Sequence, residues 1–202
     1  MTEPARANRN PLRTMPNLLS IARICLAPFL VAAILEQRFA LGFALFVAAG
    51  VTDALDGTLA RILKQRTVLG QYLDPVADKL LLSTLFLVLT HMNLIPVRVT
   101  VLVFGRDLGI LVVAAILYTA VGRREFKPSI FGKANTVAQV AAVALVLLLQ
   151  IEPVAWVGAL RTAALDATVV LTTVSGLHYA WLIIRRAVPP PVNGPASGGT
   201  AR

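Results

Sequence analysis

Six apolar stretches separated by short polar segments constrain this chain more than any other feature of its sequence. Each is close to the roughly 20 apolar residues that a helix needs to cross a bilayer. They run from Leu18 to Leu35, Phe39 to Ala60, Leu73 to Leu89, Ile95 to Val121, Ala134 to Ile151 and Ala167 to Ile184. The chain is 57% hydrophobic and only 14% charged, more apolar than a single soluble domain of 202 residues can bury. The sequence therefore predicts an all-α, polytopic membrane protein with six transmembrane helices.

Helix-breaking residues separate several of the predicted spans and suggest the domain boundaries. Asn93 with Pro96, Gly122 with Pro128, and Glu152 with Pro153 fall between apolar stretches. We expect a basic cytoplasmic juxtamembrane segment at residues 1–16, a six-helix domain at 17–187, and a disordered cytoplasmic tail at 188–202, which is rich in Pro, Gly and Ser.

The single cysteine, Cys25, excludes an intramolecular disulfide framework. Because Cys25 lies in an apolar run, we expect it to be a small core residue.

The distribution of basic residues predicts the orientation in the membrane. The formal net charge is +9. Thirteen basic residues collect on one side: Arg6, Arg9, Arg13, Arg61, Lys64, Arg66, Arg123, Arg124, Lys127, Lys133, Arg185, Arg186 and Arg202. Only three, Arg38, Arg98 and Arg161, fall on or near the other side. The positive-inside rule then places both termini on the cytoplasmic side of the membrane, which we expect to be a bacterial-type inner membrane. No nucleic-acid partner is needed to explain the positive charge.

Five of the ten acidic residues lie inside apolar segments, where a charge is expensive. They are Asp53, Asp56, Asp74, Asp78 and Asp107. At about 2.5–3.5 kcal/mol each at the bilayer centre, five unpaired carboxylates would cost as much as the stability of a typical fold, about 5–15 kcal/mol. Something must therefore compensate for them.

The spacing of four of these aspartates predicts a metal site. Asp53 and Asp56 are three residues apart and Asp74 and Asp78 are four apart, so each pair lies on one face of its helix. Oxygen-only ligands favour a hard cation, and four carboxylates suit two Mg²⁺ or Mn²⁺ ions. Alternatively, the aspartates cap helix ends or pair with nearby basic residues, namely Arg61 and Lys79.

Small residues lie between the two aspartate pairs. Gly57 and Ala60 are about one helical turn apart, and this spacing fits either close helix packing or room for a flat ligand ring. The full pattern reads D-x2-D-G-x2-A-R-x8-G-x3-D-x3-D, with Asp53, Asp56, Gly57, Ala60, Arg61, Gly70, Asp74 and Asp78 at its specified positions. It resembles the signature of the CDP-alcohol phosphatidyltransferases, and the resemblance extends over roughly residues 15–186.

The resemblance implies an activity and a role for each motif position. Members of the family join a CDP-linked lipid or alcohol to an acceptor hydroxyl and release CMP. Asp53, Asp56 and Asp74 would then ligate divalent ions, and Asp78 would be both a partial ligand and the general base. The small residues, Gly57, Ala60 and Gly70, would leave space for cytidine, and Arg61 would contact the nucleotide phosphate. For Lys79, beside the base, we expect a structural ion pair.

The acceptor pocket is predicted from charged and polar groups inside the later spans. Arg106, Lys133 and Asn135 would bind a phosphate-bearing acceptor, because charges within a span normally face the bundle interior. In the alternative arrangement, Arg106 pairs with Asp107 or with an aspartate of the cluster, and Lys133 reaches the lipid headgroups.

Two polar positions near the start of the first span are assigned less directly. Asn17 and Arg23 are candidates for lining the donor groove. Asn17 and Ser20 fit equally well as helix N-caps.

The local sequence also suggests a branch of the family. The opening Met15-Pro16-Asn17-Leu18-Leu19-Ser20, with Arg23, resembles the glycerophospholipid branch. Gly105-Arg106-Asp107, Lys127-Pro128-Ser129, Lys133-Ala134-Asn135-Thr136 and Gln139 are similar to the cardiolipin synthases. We therefore expect CDP-diacylglycerol as the donor and favour phosphatidylglycerol as the acceptor over glycerol 3-phosphate, the acceptor of phosphatidylglycerophosphate synthases.

Two further expectations concern the assembly and a rival function. The resemblance implies a homodimer through the membrane helices, with the third and fourth helices as candidate surfaces. Intramembrane carboxylates also mark ion pathways, so a cation carrier is the alternative function from another class.

Overall fold

The computed structural model describes the backbone of residues 15–63, 68–121 and 130–187. It describes the side chains of residues 22–53, 79–110, 112, 130 and 132–181. Within the described backbone there are six helices and no strand: α1 (Met15–Leu35), α2 (Phe39–Leu63), α3 (Val68–His91), α4 (Val97–Val121), α5 (Ile130–Ile151) and α6 (Ala155–Ala187). The predicted all-helical class is confirmed for this part of the chain. The terminal segments at 1–14 and 188–202 lie outside it.

The helix limits match the predicted stretches closely, except at the starts of some helices. The largest difference is in α6, which begins at Ala155 rather than at Ala167. The late predicted start reflects the low hydropathy around the charged Arg161. In the structure, the guanidinium of Arg161 donates to the Leu94 carbonyl oxygen at 2.6 Å, in the turn between α3 and α4. That contact satisfies the charged side chain, and the helix continues through it. Likewise α5 begins at Ile130 rather than at Ala134, and α1 at Met15, so Asn17 and Ser20 lie inside α1 and are not its N-caps.

Two tight turns join antiparallel neighbours by the same hydrogen-bond pattern. After α1, the Gln37 amide donates to the Ile34 carbonyl and the Arg38 amide to the Ala33 carbonyl. After α3, the Asn93 amide donates to Thr90 and the Leu94 amide to Leu89. Gln37 and Asn93 have φ angles of 61° and 60°. Both turns are therefore Schellman motifs with a left-handed residue after the helix.

The helices pack around a shared apolar core. α1 packs on α2 and α3, α5 packs on α2 and α6, and α4 packs on α3 and α6. Buried side chains of all six helices and of one connecting turn contribute to this core: Leu30, Ile34, Phe46, Ala49, Leu81, Leu82, Leu85, Phe86, Leu89, Ile95, Val99, Val103, Ala142, Val143, Val146, Leu147 and Leu165. Arg161 bonds to the turn before α4, and Arg106 of α4 bonds to Ser175 of α6. The two contacts are similarly spaced along both helices, so α4 and α6 run side by side in the same direction.

Large apolar side chains are also exposed on every helix. Examples are Phe29, Val47, Leu80, Val101, Val137 and Leu177. Cys25 belongs to this outer face as well: its side chain is exposed, so the expectation that it lies in the core is wrong. Cys25 lies beside Ile24, an exposed apolar residue of α1.

Two helical segments of the described chain are long and apolar enough to cross a membrane. They are Gly132–Ile151, with 20 residues, and Ala155–Trp181, with 27. Shorter apolar segments occupy Ala22–Leu35, Phe39–Asp53 and Lys79–His91. The helix α4 carries charged side chains within its length, Arg98, Arg106 and Asp107. Six membrane spans are therefore not established by length and hydropathy over these residues.

Candidate active site

The aspartate motif lies on two helices that follow one another in the chain. Asp53 and Asp56 belong to α2, and Asp74 and Asp78 belong to α3. Of these four, only the Asp53 side chain is among the described residues. The side chains of the other motif positions, and that of Asn17, lie outside them: Asp56, Gly57, Ala60, Arg61, Gly70, Asp74 and Asp78.

Asp53 forms an ion pair with a buried arginine of the preceding helix. The Arg23 Nη2 donates to Asp53 Oδ1 at 2.6 Å. The Arg23 side chain is 4% exposed, whereas that of Asp53 is 47% exposed. The turn at residues 36–38 folds α2 back along α1, which brings positions 23 and 53 to the same level. Arg23, predicted to line the donor groove, therefore holds the first carboxylate of the motif.

Lys79 and Asp107 link α3 to α4. Lys79 Nζ lies 2.8 Å from Asp107 Oδ1, which confirms the ion pair expected for Lys79. Arg106 Nη1 lies 2.6 Å from the same oxygen. Of the two arrangements considered for Arg106, the pairing with Asp107 is present. The Asp107 carboxylate, 12% exposed, thus balances one of two neighbouring cations.

Arg106 continues this network onto α6. Its Nη2 donates to Ser175 Oγ at 2.7 Å, and its guanidinium carbon lies 6.0 Å from the centre of the Tyr179 ring. The side chain is 8% exposed. Arg106 therefore connects α4 to α6 through a charged side chain that is almost fully buried.

A second polar contact joins α5 and α6 one turn away. The Thr172 hydroxyl donates to Asn135 Oδ1 at 2.9 Å, and both residues are buried. Lys133, two residues earlier on α5, is exposed. The structure thus brings Arg106 and Asn135 to adjacent positions on α6, Ser175 and Thr172. It places Lys133 on the surface of the same helix end.

Sequence reasoning missed the α6 residues of this region. Thr168, Thr172 and Ser175 are buried and spaced by four and three residues, which puts them on one helix face. This polar stripe in an apolar helix is a signal that the sequence carried. Its partners could not be read from the sequence, since Arg106 and Ser175 are 69 residues apart.

The described side chains contain no group of three or more His, Cys, Asp or Glu residues that could hold a metal ion. Three of the four predicted ligands lie outside that part of the chain. The metal site therefore stays a prediction.

Comparison with known proteins identifies the family. Residues 13–181 match the family model of the CDP-alcohol phosphatidyltransferases. A cardiolipin synthase (CMP-forming) from Homo sapiens is 38% identical over 149 residues, which are 65% of this chain and 49% of the human protein. A probable phosphatidylglycerophosphate synthase from Mycobacterium tuberculosis (strain ATCC 25618 / H37Rv) is 31% identical over 189 residues, covering 89% and 86% of the two chains. A CDP-diacylglycerol–glycerol-3-phosphate 3-phosphatidyltransferase from Aquifex aeolicus is 31% identical over 171 residues, covering 82% and 93%.

The chain belongs to the CDP-alcohol phosphatidyltransferase family, since the family model covers most of its length. The aspartate motif on α2 and α3 lies within the matched residues. The chain spans about half the length of several curated relatives that it matches, including those from human, rat and Drosophila melanogaster. The relatives carry different activity names, so their names alone do not select an acceptor.

Proposed function

We propose that this protein transfers a phosphatidyl group from CDP-diacylglycerol to a hydroxyl of a glycerol-type acceptor and releases CMP. The observation that carries the proposal is the complete eight-position motif on consecutive helices of a chain that matches the family model over residues 13–181. The pairing of Asp53 with a buried arginine supports it, because an arginine held at 2.6 Å fixes one motif carboxylate.

The proposed reaction depends on divalent ions, Mg²⁺ or Mn²⁺. The donor set fits them: Asp53, Asp56, Asp74 and Asp78 offer carboxylate oxygens only, which hard cations prefer. Asp53 is half exposed although Arg23 takes one of its oxygens, so its carboxylate remains accessible. Bound there, two divalent ions would neutralise the pyrophosphate and the departing CMP.

The remaining chemistry belongs to residues of the chain. Asp78 takes the proton of the acceptor hydroxyl while the oxygen of that hydroxyl forms a bond to the β-phosphorus of CDP-diacylglycerol. The bond from that phosphorus to the CMP oxygen breaks, and CMP leaves. Gly57, Ala60 and Gly70 give room to the cytidine, and Arg61 binds nucleotide phosphate. Arg23 orients Asp53.

For the acceptor we favour phosphatidylglycerol, which gives cardiolipin, over glycerol 3-phosphate. The residues Arg106, Lys133 and Asn135 would bind it. Arg106 and Asn135 contact adjacent positions of α6, and this supports placing both in one pocket. Asn17, on α1, would line the donor groove with Arg23.

The test is an assay of the purified full chain with CDP-diacylglycerol, Mg²⁺ or Mn²⁺, and each acceptor separately. We expect CMP release and cardiolipin formation with phosphatidylglycerol. Consumption of glycerol 3-phosphate but not of phosphatidylglycerol would reverse the acceptor choice and leave the transferase activity standing. Cation uptake into proteoliposomes with no CMP release from either acceptor would instead support the carrier.

We further propose six membrane spans with both termini on the cytoplasmic side of an inner membrane, and a homodimer through α3 and α4. Exposed apolar side chains on each of the six helices support the spans, because lipid is the solvent that suits them. The Arg161 contact with Leu94 supports the topology, since it places the start of α6 and the turn between α3 and α4 at the same end of the bundle.

A further inference from the structure

A row of buried polar side chains runs between α5 and α6. The helices are antiparallel, and Asn135 contacts Thr172 at 2.9 Å. Gln139 lies one turn further along α5, and Thr168 one turn back along α6, so these two residues lie at the same level of the antiparallel pair. Asn135 and Thr168 are 0% exposed, Thr172 2% and Gln139 4%. We call these four residues the polar seam.

The seam contains hydrogen-bond donors without partners. Asn135 Nδ2, Gln139 Nε2 and the nearby Arg106 Nε are buried and make no hydrogen bond within the residues that the structure describes. Buried polar groups in proteins are nearly always paired, because leaving one unpaired is costly. The Thr172 hydroxyl holds Asn135 Oδ1, and this contact fixes the direction in which the Asn135 amide group donates.

The seam is connected to the catalytic end of α3. Thr172 lies one turn from Ser175, which accepts a hydrogen bond from Arg106. Arg106 shares the Asp107 carboxylate with Lys79, the residue that follows Asp78 in the chain. The contacts of Ser175, Arg106, Asp107 and Lys79 therefore run from one turn beyond the seam to the residue that follows the proposed base in the chain.

The chemistry of the seam selects its ligand. The unpaired donors of Asn135 and Gln139 are neutral amides, and the nearby Arg106 lies 2.6 Å from Asp107, a carboxylate that it shares with Lys79. None of the four seam residues is charged, whereas the cations that would bind a phosphate, Arg106 and exposed Lys133, lie outside the seam. A hydroxyl fits better, because its oxygen accepts from the amides and its proton can go to the Thr172 oxygen.

We propose that Asn135 and Gln139 bind the central hydroxyl of the acceptor's glycerol, with Thr172 as the residue that positions Asn135. The inference rests on the proposed transferase function and extends it. Phosphatidylglycerol and glycerol 3-phosphate both carry a phosphate at one end of a glycerol, the reacting hydroxyl at the other, and this hydroxyl between them. The seam thus selects a glycerol, whichever of the two acceptors supplies it.

The experiment pairs a side-chain deletion with a hydroxyl deletion in the acceptor. Wild type and Gln139→Met are assayed with phosphatidylglycerol against phosphatidyl-1,3-propanediol, and with glycerol 3-phosphate against 3-hydroxypropyl phosphate. The propanediol compounds keep the reacting hydroxyl and lack the central one. Gln150→Met is the matched control, since Gln150 is an exposed glutamine of the same helix.

We expect wild type and Gln150→Met to prefer the glycerol acceptor about tenfold in kcat/KM. Gln139→Met should lose about tenfold on the glycerol acceptor and show no preference, with the KM for CDP-diacylglycerol unchanged. Its thermal midpoint should not fall, because a buried amide without a partner is replaced by an apolar side chain of similar size.

Thr172 provides a second pair of variants if Gln139→Met does not fold. Thr172→Val should weaken the preference for glycerol, and Thr172→Ser, which keeps the hydroxyl, should restore it. An undiminished preference in Gln139→Met or in Thr172→Val would overturn the inference, and a water molecule filling the seam would produce that result. Equal losses for both acceptors of a pair would also overturn it.

Failure of the proposed function is distinguishable from failure of the seam. If wild type releases no CMP with any of these acceptors, the transferase proposal fails and the seam proposal fails with it. If wild type is active but the seam variants discriminate as it does, only the seam proposal fails.

Discussion

Arg23 of α1 holds the Asp53 carboxylate of α2 at 2.6 Å, and the arginine is buried while the aspartate is half exposed. The accessible member of the pair is thus the proposed metal ligand, and the buried member holds it in place. This geometry makes Arg23 a positioning residue for the first carboxylate of the motif.

Arg23→Gln should lower the rate of CMP release at least about tenfold at saturating substrates, because Asp53 loses the guanidinium that fixes its orientation. The divalent-ion concentration giving half-maximal rate should rise as well. The measurement is a metal titration of the initial rate. Arg38→Gln is the control: Arg38 is 66% exposed and lies 3.7 Å from Glu36, so its loss should leave the rate unchanged. A rate for Arg23→Gln equal to wild type would remove Arg23 from the site.

Asp78→Asn should abolish CMP release while expression and metal binding stay largely intact, because an amide cannot take the acceptor proton and only one of four carboxylates is removed. Radiolabelled CDP-diacylglycerol provides the readout, and equilibrium metal binding the companion measurement. Asp166→Asn changes an exposed aspartate of α6 and should behave as wild type. Retained turnover in Asp78→Asn would contradict its assignment as the base.

Asp107→Ala should destabilise the protein by about 3 kcal/mol, because it leaves the almost buried Arg106 without its carboxylate partner. Lys79→Met removes the other cation, whose side chain is 43% exposed, and should cost less than about 1 kcal/mol. Thermal unfolding of both variants in the same detergent tests the contrast. Equal shifts of the thermal midpoint in the two variants would mean that Asp107 stabilises the protein mainly through its ion pair with Lys79.

Gln37→Gly should stabilise the turn between α1 and α2 by about 0.5–1 kcal/mol. Gln37 has a φ of 61°, and glycine adopts the left-handed region without the steric cost that a side chain imposes. Gln37→Ala keeps that cost and serves as the comparison. A rise in thermal midpoint for the glycine variant alone supports the Schellman geometry, whereas no difference between the two would argue against it.

The number and order of the described helices, and the location of the motif on two of them, were predictable from the amino-acid sequence. These features depend on local properties: apolar stretches of helical length, and breakers such as Pro96 and Pro153 that end them. The start of α6 was placed wrongly because Arg161 looks unfavourable in an apolar window. Its partner, the Leu94 carbonyl oxygen, is 67 residues away in the chain.

Which polar groups contact one another depends on how the helices pack. This packing joins Arg23 to Asp53 and Lys79 to Asp107, and it places Asn135 against Thr172 on α6. It also turns Cys25 outward, since every residue of an apolar helix looks equally suited to the core until its neighbours are known. Hydropathy reports how apolar a segment is, whereas partner choice depends on helix register and on contacts between residues far apart in sequence. The polar seam between α5 and α6 could therefore not be predicted as an interface, although all four of its residues are readable in the sequence.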